Sequence, residues 1–187
     1  MIELVPLEQL AKGPAPTIER LRAIGATIAG VELSPDVVAQ VDQADAAERA
    51  TLELLKRSVE RERGPMHLET FPHESAADAI AARVGVIIAA LRHVEARCPH
   101  AQWPPLPSDA RRLAVVLACR AVACGRPACI AALHKRWTDD GLCELCERPA
   151  PAFWPHIAPI GPLVVNLELC EACTRFMRPG SELRLRA

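Results

Sequence analysis

Ser108-Asp109-Ala110-Arg111-Arg112-Leu113-Ala114-Val115-Val116-Leu117-Ala118-Cys119-Arg120-Ala121-Val122-Ala123-Cys124 is the stretch on which the fold class turns. Ser108 and Asp109 are residue types that accept from the free N–H groups of a helix start, and Gly125 suits a helix end. The sequence therefore predicts an apolar helix over 108–124. Upstream, Ser75-Ala76-Ala77-Asp78 resembles a capping box, and Ala79 to Arg97 is apolar almost all round. That run predicts a central, buried helix stopped by Pro99. Downstream, Pro127 opens a last helix reaching about Thr138.

Farther out, Thr17 caps a helix whose stripe is Ile18, Leu21, Ile24 and Ile28, ending near Gly30. Ser34-Pro35-Asp36 restarts a helix with Val37, Val38 and Val41 turned inward. The pair has the grammar of a helix-turn-helix over 18–41, in which Gln40 is the credible base reader. Asp42 to Arg63 continues as helix and Gly64-Pro65 ends it. The stretches 65–74 and 99–107 are expected to be loops. The expected fold is thus mainly α: a helical bundle body over 1–138 and a small C-terminal four-cysteine module over 139–187.

Composition points the same way. Half of the 187 residues are apolar, yet only three Trp and three Phe are present and no Tyr. A core of Ala, Leu, Val and Ile favours packed helices and argues against nucleic-acid folds that stack bases on aromatic sheet residues. Residues 1–97 carry 11 Lys/Arg and 15 Asp/Glu, and residues 98–187 carry 11 and 8. Net −4 and +3 permit nucleic-acid contact only through a local patch. Met1-Ile2-Glu3-Leu4 lacks a basic, apolar leader, and the apolar run from Val84 to Leu91 is too short to span a bilayer. The expectation is a cytoplasmic chain with reduced thiols and no membrane partner.

In the module, Cys143-x2-Cys146 and Cys170-x2-Cys173 are separated by 23 residues. Each pair can sit on a tight turn that aims two sulfurs at one point, so the four predict one structural zinc ion in a ribbon or treble-clef-like module. Cys98, Cys119, Cys124 and Cys129 read as small apolar core residues, with a second metal site as the lesser alternative. On one helix a spacing of five rotates about 140° per step, so Cys119, Cys124 and Cys129 would not share a face. His67, His73, His93, His100 and His134 stand at no catalytic spacing to carboxylates.

Between the cysteine pairs, Trp154-Pro155-His156 and Asn166-Leu167-Glu168-Leu169-Cys170 are similar to the zinc-supported HNH nuclease motif. The resemblance would make His156 the base and Asn166 its orienting partner. Pro155 and Thr174 stand where that family holds hard metal ligands, so an HNH-derived nuclease is a degenerate alternative and no enzyme is expected.

The whole layout resembles the FlhC family, the zinc-binding subunit of a heteromeric bacterial activator of flagellar genes. The residues concerned are Leu21-Arg22-Ala23-Ile24-Gly25-Ala26 with Leu33-Ser34, Gly64 to Pro72, and Phe153 and His156 after the first cysteine pair. The resemblance implies a zinc-containing, DNA-binding transcription regulator working with a protein partner subunit or as a homo-oligomer on duplex DNA. Phosphate contacts are expected from Arg136, Arg148, Arg175, Arg178, Arg184 and Arg186, with Gln40 reading bases. The alternative from another class is an interaction adaptor whose zinc module is a docking surface.

Overall fold

The structure, a computed structural model, describes residues 7–31, 50, 53, 56–57, 60–61, 66–69, 75–103, 113–138, 140–177 and 182–185. Helix α1 is Leu7–Lys12 and α2 is Ile18–Ala29. The Arg20 N–H donates to Thr17 Oγ1 at 3.2 Å, so the expected cap forms. The second half of the helix-turn-helix candidate, Gln40 included, lies outside the described residues. So does most of the expected helix over 42–63, although its described positions are helical.

Helix α3, Ala76–His93, is the central helix. Ser75 caps it by accepting from the Asp78 N–H at 3.2 Å. Ala81, Val86, Ile88 and Ala90 are buried, as an apolar helix in the middle of a core requires. The helix gives way earlier than expected, and Ala96–Arg97 form the short strand β2. Helix α2 crosses α3 at very short range, because Gly25 lies against the Ala77 carbonyl and Ala81. A Cβ on Gly25 would stand 2.8 Å from the Ala81 Cβ.

A mixed sheet overturns the expected helical bundle body. Leu113–Val116 is strand β3 and Ala121–Cys124 is strand β4, antiparallel to each other across a 3-10 turn at Leu117–Cys119. The predicted helix over these residues does not exist, and its proposed cap at Ser108 lies outside the described residues. With β5 (Trp154–Ile160) and β6 (Leu163–Leu169), they make a five-stranded sheet in the order β2-β4-β3-β6-β5. The β3/β6 and β2/β4 pairs are parallel, and β5/β6 is antiparallel.

The physical reason is double-sided burial. Val122 and Cys124 of β4 join the large core beneath α3, whereas Ala121 and Ala123 join a second cluster with Leu133 of helix α4, Pro127–His134. A strand covered on both faces is a continuous apolar run, which periodicity alone cannot tell from buried helix. The reversal into β4 is made by Arg120 at φ +47, held by ion pairs to Glu95 and Asp140 at 3.1 Å each. No glycine, proline or asparagine marks that turn.

Helix α5, Glu171–Phe176, follows β6. Outside the main sheet, β1 (Met66–Glu69) pairs antiparallel with β7 (Glu182–Leu185), Met66 opposite Leu185 and Glu69 opposite Glu182. The expected loop over 65–74 thus contains a strand, whose partner lies more than a hundred residues away and leaves no local signal.

Candidate metal centre

The four module cysteines converge from two elements. Cys143 and Cys146 sit on a knuckle closed by a Leu142–Pro149 bridge, with Cys143 N–H donating to the Arg148 carbonyl at 2.9 Å. Glu147 takes φ +55 to complete it, its N–H donating back to the Cys143 carbonyl at 2.7 Å. The β5–β6 hairpin, turning at Gly161 with φ +53, then returns the chain to Cys170 at the start of α5 and to Cys173 within it. Knuckle, hairpin and helix follow in the order of a treble clef.

All four sulfurs lie within 4.8 Å of one another, and Cys146 Sγ is 3.9 Å from Cys170 Sγ. A tetrahedral ion with metal–sulfur bonds of about 2.3 Å sets its ligand sulfurs about 3.8 Å apart. The donor set therefore fits a metal ion. Cys143 and Cys173 are buried, and Cys146 and Cys170 are half-buried.

The electrostatics agree. Hydrogen bonding from Cys173, then from the Cys146, Cys170 and Leu145 N–H groups, pulls Cys143 down to about 4 against the opposing effect of burial. Burial pushes Cys146 up to about 11, and the hydrogen bond with Cys143 together with burial raises Cys173. A thiolate at Cys143 beside thiols at Cys146 and Cys173 that resist ionisation is the state a divalent cation would displace, since its charge would hold its cysteine ligands as thiolates.

The knuckle is fastened to the body from three sides. Leu145 is 2% exposed, and its Cδ1 and that of Leu21 sit at 3.2 and 3.1 Å from where a Gly85 Cβ would stand, so the central helix has no side chain there. Arg92 pairs with Glu147 at 2.7 Å and donates to the carbonyls of Ala11 and Gly13, tying α1 to the knuckle through α3. Glu144 donates its N–H to the Glu168 carbonyl at 3.1 Å, and its carboxylate accepts the Glu168 N–H. Burial pushes that carboxyl up to about 8.

Beside the knuckle is a cavity of about 270 Å³ lined by His93, Arg120, Asp140, Glu144, Glu147 and Glu168 among others. Burial lowers His93 below its ordinary 6.5 despite Glu147, whose carboxylate is 3.7 Å from Nε2.

The nuclease pair is not brought together. His156 faces Leu167 across the hairpin and Asn166 faces Ile157, so adjacent register positions put the two side chains on opposite faces of the hairpin. His156 is 6% exposed, within the fold.

The expected phosphate contacts are scattered. Arg175 pairs with Glu171 on α5, Arg148 belongs to the knuckle, where its carbonyl accepts from the Cys143 N–H, and Arg136 is exposed after α4. Arg178 and Arg186 lie outside the described residues, and Arg184 is in β7 opposite His67. Sequence reasoning missed a better signal: residues 110–138 contain Arg111, Arg112, Arg120, Arg126, Lys135 and Arg136 and no acid. Within that run Arg126, Lys135 and Arg136 are exposed at the two ends of α4 and pair with no described carboxylate, and Trp137 beside them is 49% exposed.

It also set aside a second cluster and gave His100 no part in it. Cys98, His100, Cys124 and Cys129 have their ligand atoms within 4.8 Å of one another, so two groups among the described residues could hold a metal ion. The spacing argument failed because Cys124 ends β4 and Cys129 is in α4, two elements rather than one helix.

No helix among the described residues is long and apolar enough to cross a membrane. No family model, curated protein or solved structure matches this chain.

Proposed function

We propose that this chain is a non-catalytic zinc protein that binds duplex DNA, as a transcription regulator or a subunit of one, with structural zinc held by Cys143, Cys146, Cys170 and Cys173. The observation that carries the DNA reading is the acid-free run over 110–138, with Arg126, Lys135 and Arg136 exposed at the ends of α4. Surface cations with no described carboxylate to neutralise them attract a polyanion and release its counterions. The likeness to the FlhC family adds the expectation of a partner subunit.

The test is titration of labelled duplex DNA across a salt series with the wild type and an Arg126→Ala, Lys135→Ala, Arg136→Ala triple variant. Affinity should fall steeply with salt, and the triple variant should flatten the log–log slope by about 2 to 3. Absence of binding at low salt, alone and with any partner copurified from the source cells, removes the DNA reading.

A second reading, the interaction adaptor, is favoured by exposed Trp137, Leu142 and Trp154. It expects a stable protein complex, with no nucleic-acid affinity, that Trp137→Ala weakens.

A further inference from the structure

We propose that Cys98, His100, Cys124 and Cys129 form a second metal site, a centre of three thiolates and one imidazole for zinc or another thiophilic divalent cation, at the edge of the sheet. Three separate pieces of chain deliver its ligands. Cys98 follows β2, Cys124 is the last residue of β4 and Cys129 lies near the start of α4. His100 comes from the turn after β2, where the Ala101 N–H donates to the Cys98 carbonyl at 3.1 Å.

The spacing suits a tetrahedral coordination sphere. His100 Nδ1 stands 3.4 Å from Cys129 Sγ. A tetrahedral zinc with about 2.3 Å to sulfur and about 2.0 Å to nitrogen puts such a pair about 3.5 Å apart. The Cys124 N–H donates to Cys98 Sγ at 3.3 Å. In the four-cysteine centre the Cys170 N–H donates to Cys143 Sγ at the same 3.3 Å. An N–H aimed at sulfur stabilises thiolate, the form that binds metal.

Packing alone does not account for the cluster. A cysteine serving as a small apolar residue is buried among apolar neighbours, as Cys119 is. Cys98 and Cys129 are half-buried and His100 is exposed, yet their ligand atoms converge. There is a mechanical use as well: β2 has two residues and, among the described strands, pairs with β4 alone, so a cross-link would fasten the 98–100 turn to α4. Zinc supplies such a link where a core is too small to do so.

The site does not depend on the DNA reading, and its test needs no nucleic acid. Full-length protein purified with zinc and without chelator should contain two zinc ions per chain by elemental analysis. Release to a chromophoric chelator should be biphasic, the fast phase coming from the exposed centre. His100→Ala, at an exposed position outside the apolar core, should abolish or greatly accelerate the fast phase and leave the slow phase unchanged. Cys129→Ser should lower the content to one zinc per chain, and cobalt substitution of that variant should give the spectrum of a four-thiolate site alone. One zinc per chain in the wild type, or two with unaltered release in His100→Ala, overturns the proposal.

Discussion

The two cysteine clusters are built from similar side chains in opposite settings. The four-cysteine cluster has two fully buried sulfurs, sits under the central helix and is fastened by Leu145, Arg92 and Glu144. The cluster of three cysteines and His100 has one buried sulfur and an exposed imidazole, and joins the thinnest strand of the sheet to a helix of eight residues. The contrast makes depth, rather than ligand identity, the property expected to separate a centre on which the fold depends from one that trims its edge.

The largest effect should come from breaking the deep cluster. Cys143→Ser leaves three thiols without their charge partner. A structural zinc of this kind is worth about 10 kcal/mol or more of folding free energy, comparable to the whole stability of an ordinary domain. The variant should lack cooperative thermal unfolding by circular dichroism, while Cys129→Ser keeps it. Equal damage from the two would erase the contrast.

Next comes the fastening. Leu145→Ala empties a site against Leu21 and Gly85 and should cost about 2 to 5 kcal/mol in urea unfolding. It should hasten release of the slowly exchanging metal only. A similar loss, about 1 to 3 kcal/mol or more from overpacking, is expected for Gly25→Val, since its side chain would meet the Ala77 backbone. That variant should spare the edge cluster, none of whose ligands lies in α2 or α3.

Cys129→Ser should act locally. Hydrogen exchange should quicken over residues 98–100 and 127–134, with protection of β6 unchanged. Faster exchange in β6 would mean that the edge cluster also supports the sheet interior.

The smallest effect is a pH dependence beside the deep cluster. Burial lowers His93 below 6.5, so the folded chain keeps it neutral while the unfolded chain takes up a proton. Its contribution is full above about 6.5 and is lost as pH falls from there through the folded value. Between about pH 7 and about pH 5.5, wild type should lose more stability than His93→Gln. Ligand protonation is common to both proteins and cancels in the comparison. Parallel pH profiles would show that His93 titrates alike in both states.

The same contrast explains what the sequence disclosed. The deep cluster was legible because two C-x2-C turns are local geometry: Cys143 and Cys146, like Cys170 and Cys173, need only their own turn. Thr17, Ser75 and Pro127 announced their helices for the same reason. The sheet of the body was hidden because β3 and β4 are apolar on both faces, and because the turn between them rests on Arg120, whose left-handed backbone is sustained by Glu95 and Asp140 rather than by residue type. Placing β4 on a helix puts Cys124 and Cys129 on one rod and conceals their convergence with Cys98 and His100.

Strand β6 belongs to two constructions at once. It forms the hairpin between the two cysteine pairs with β5 and lies parallel against β3, Leu113 opposite Leu163 and Val116 opposite Asn166. Severing the chain ahead of the knuckle would strip β3 of that neighbour and open its backbone groups to any passing strand. An N-terminal fragment ending there is therefore expected to self-associate, which would make the cysteine-bearing tail a built-in guard against aggregation for the rest of the molecule.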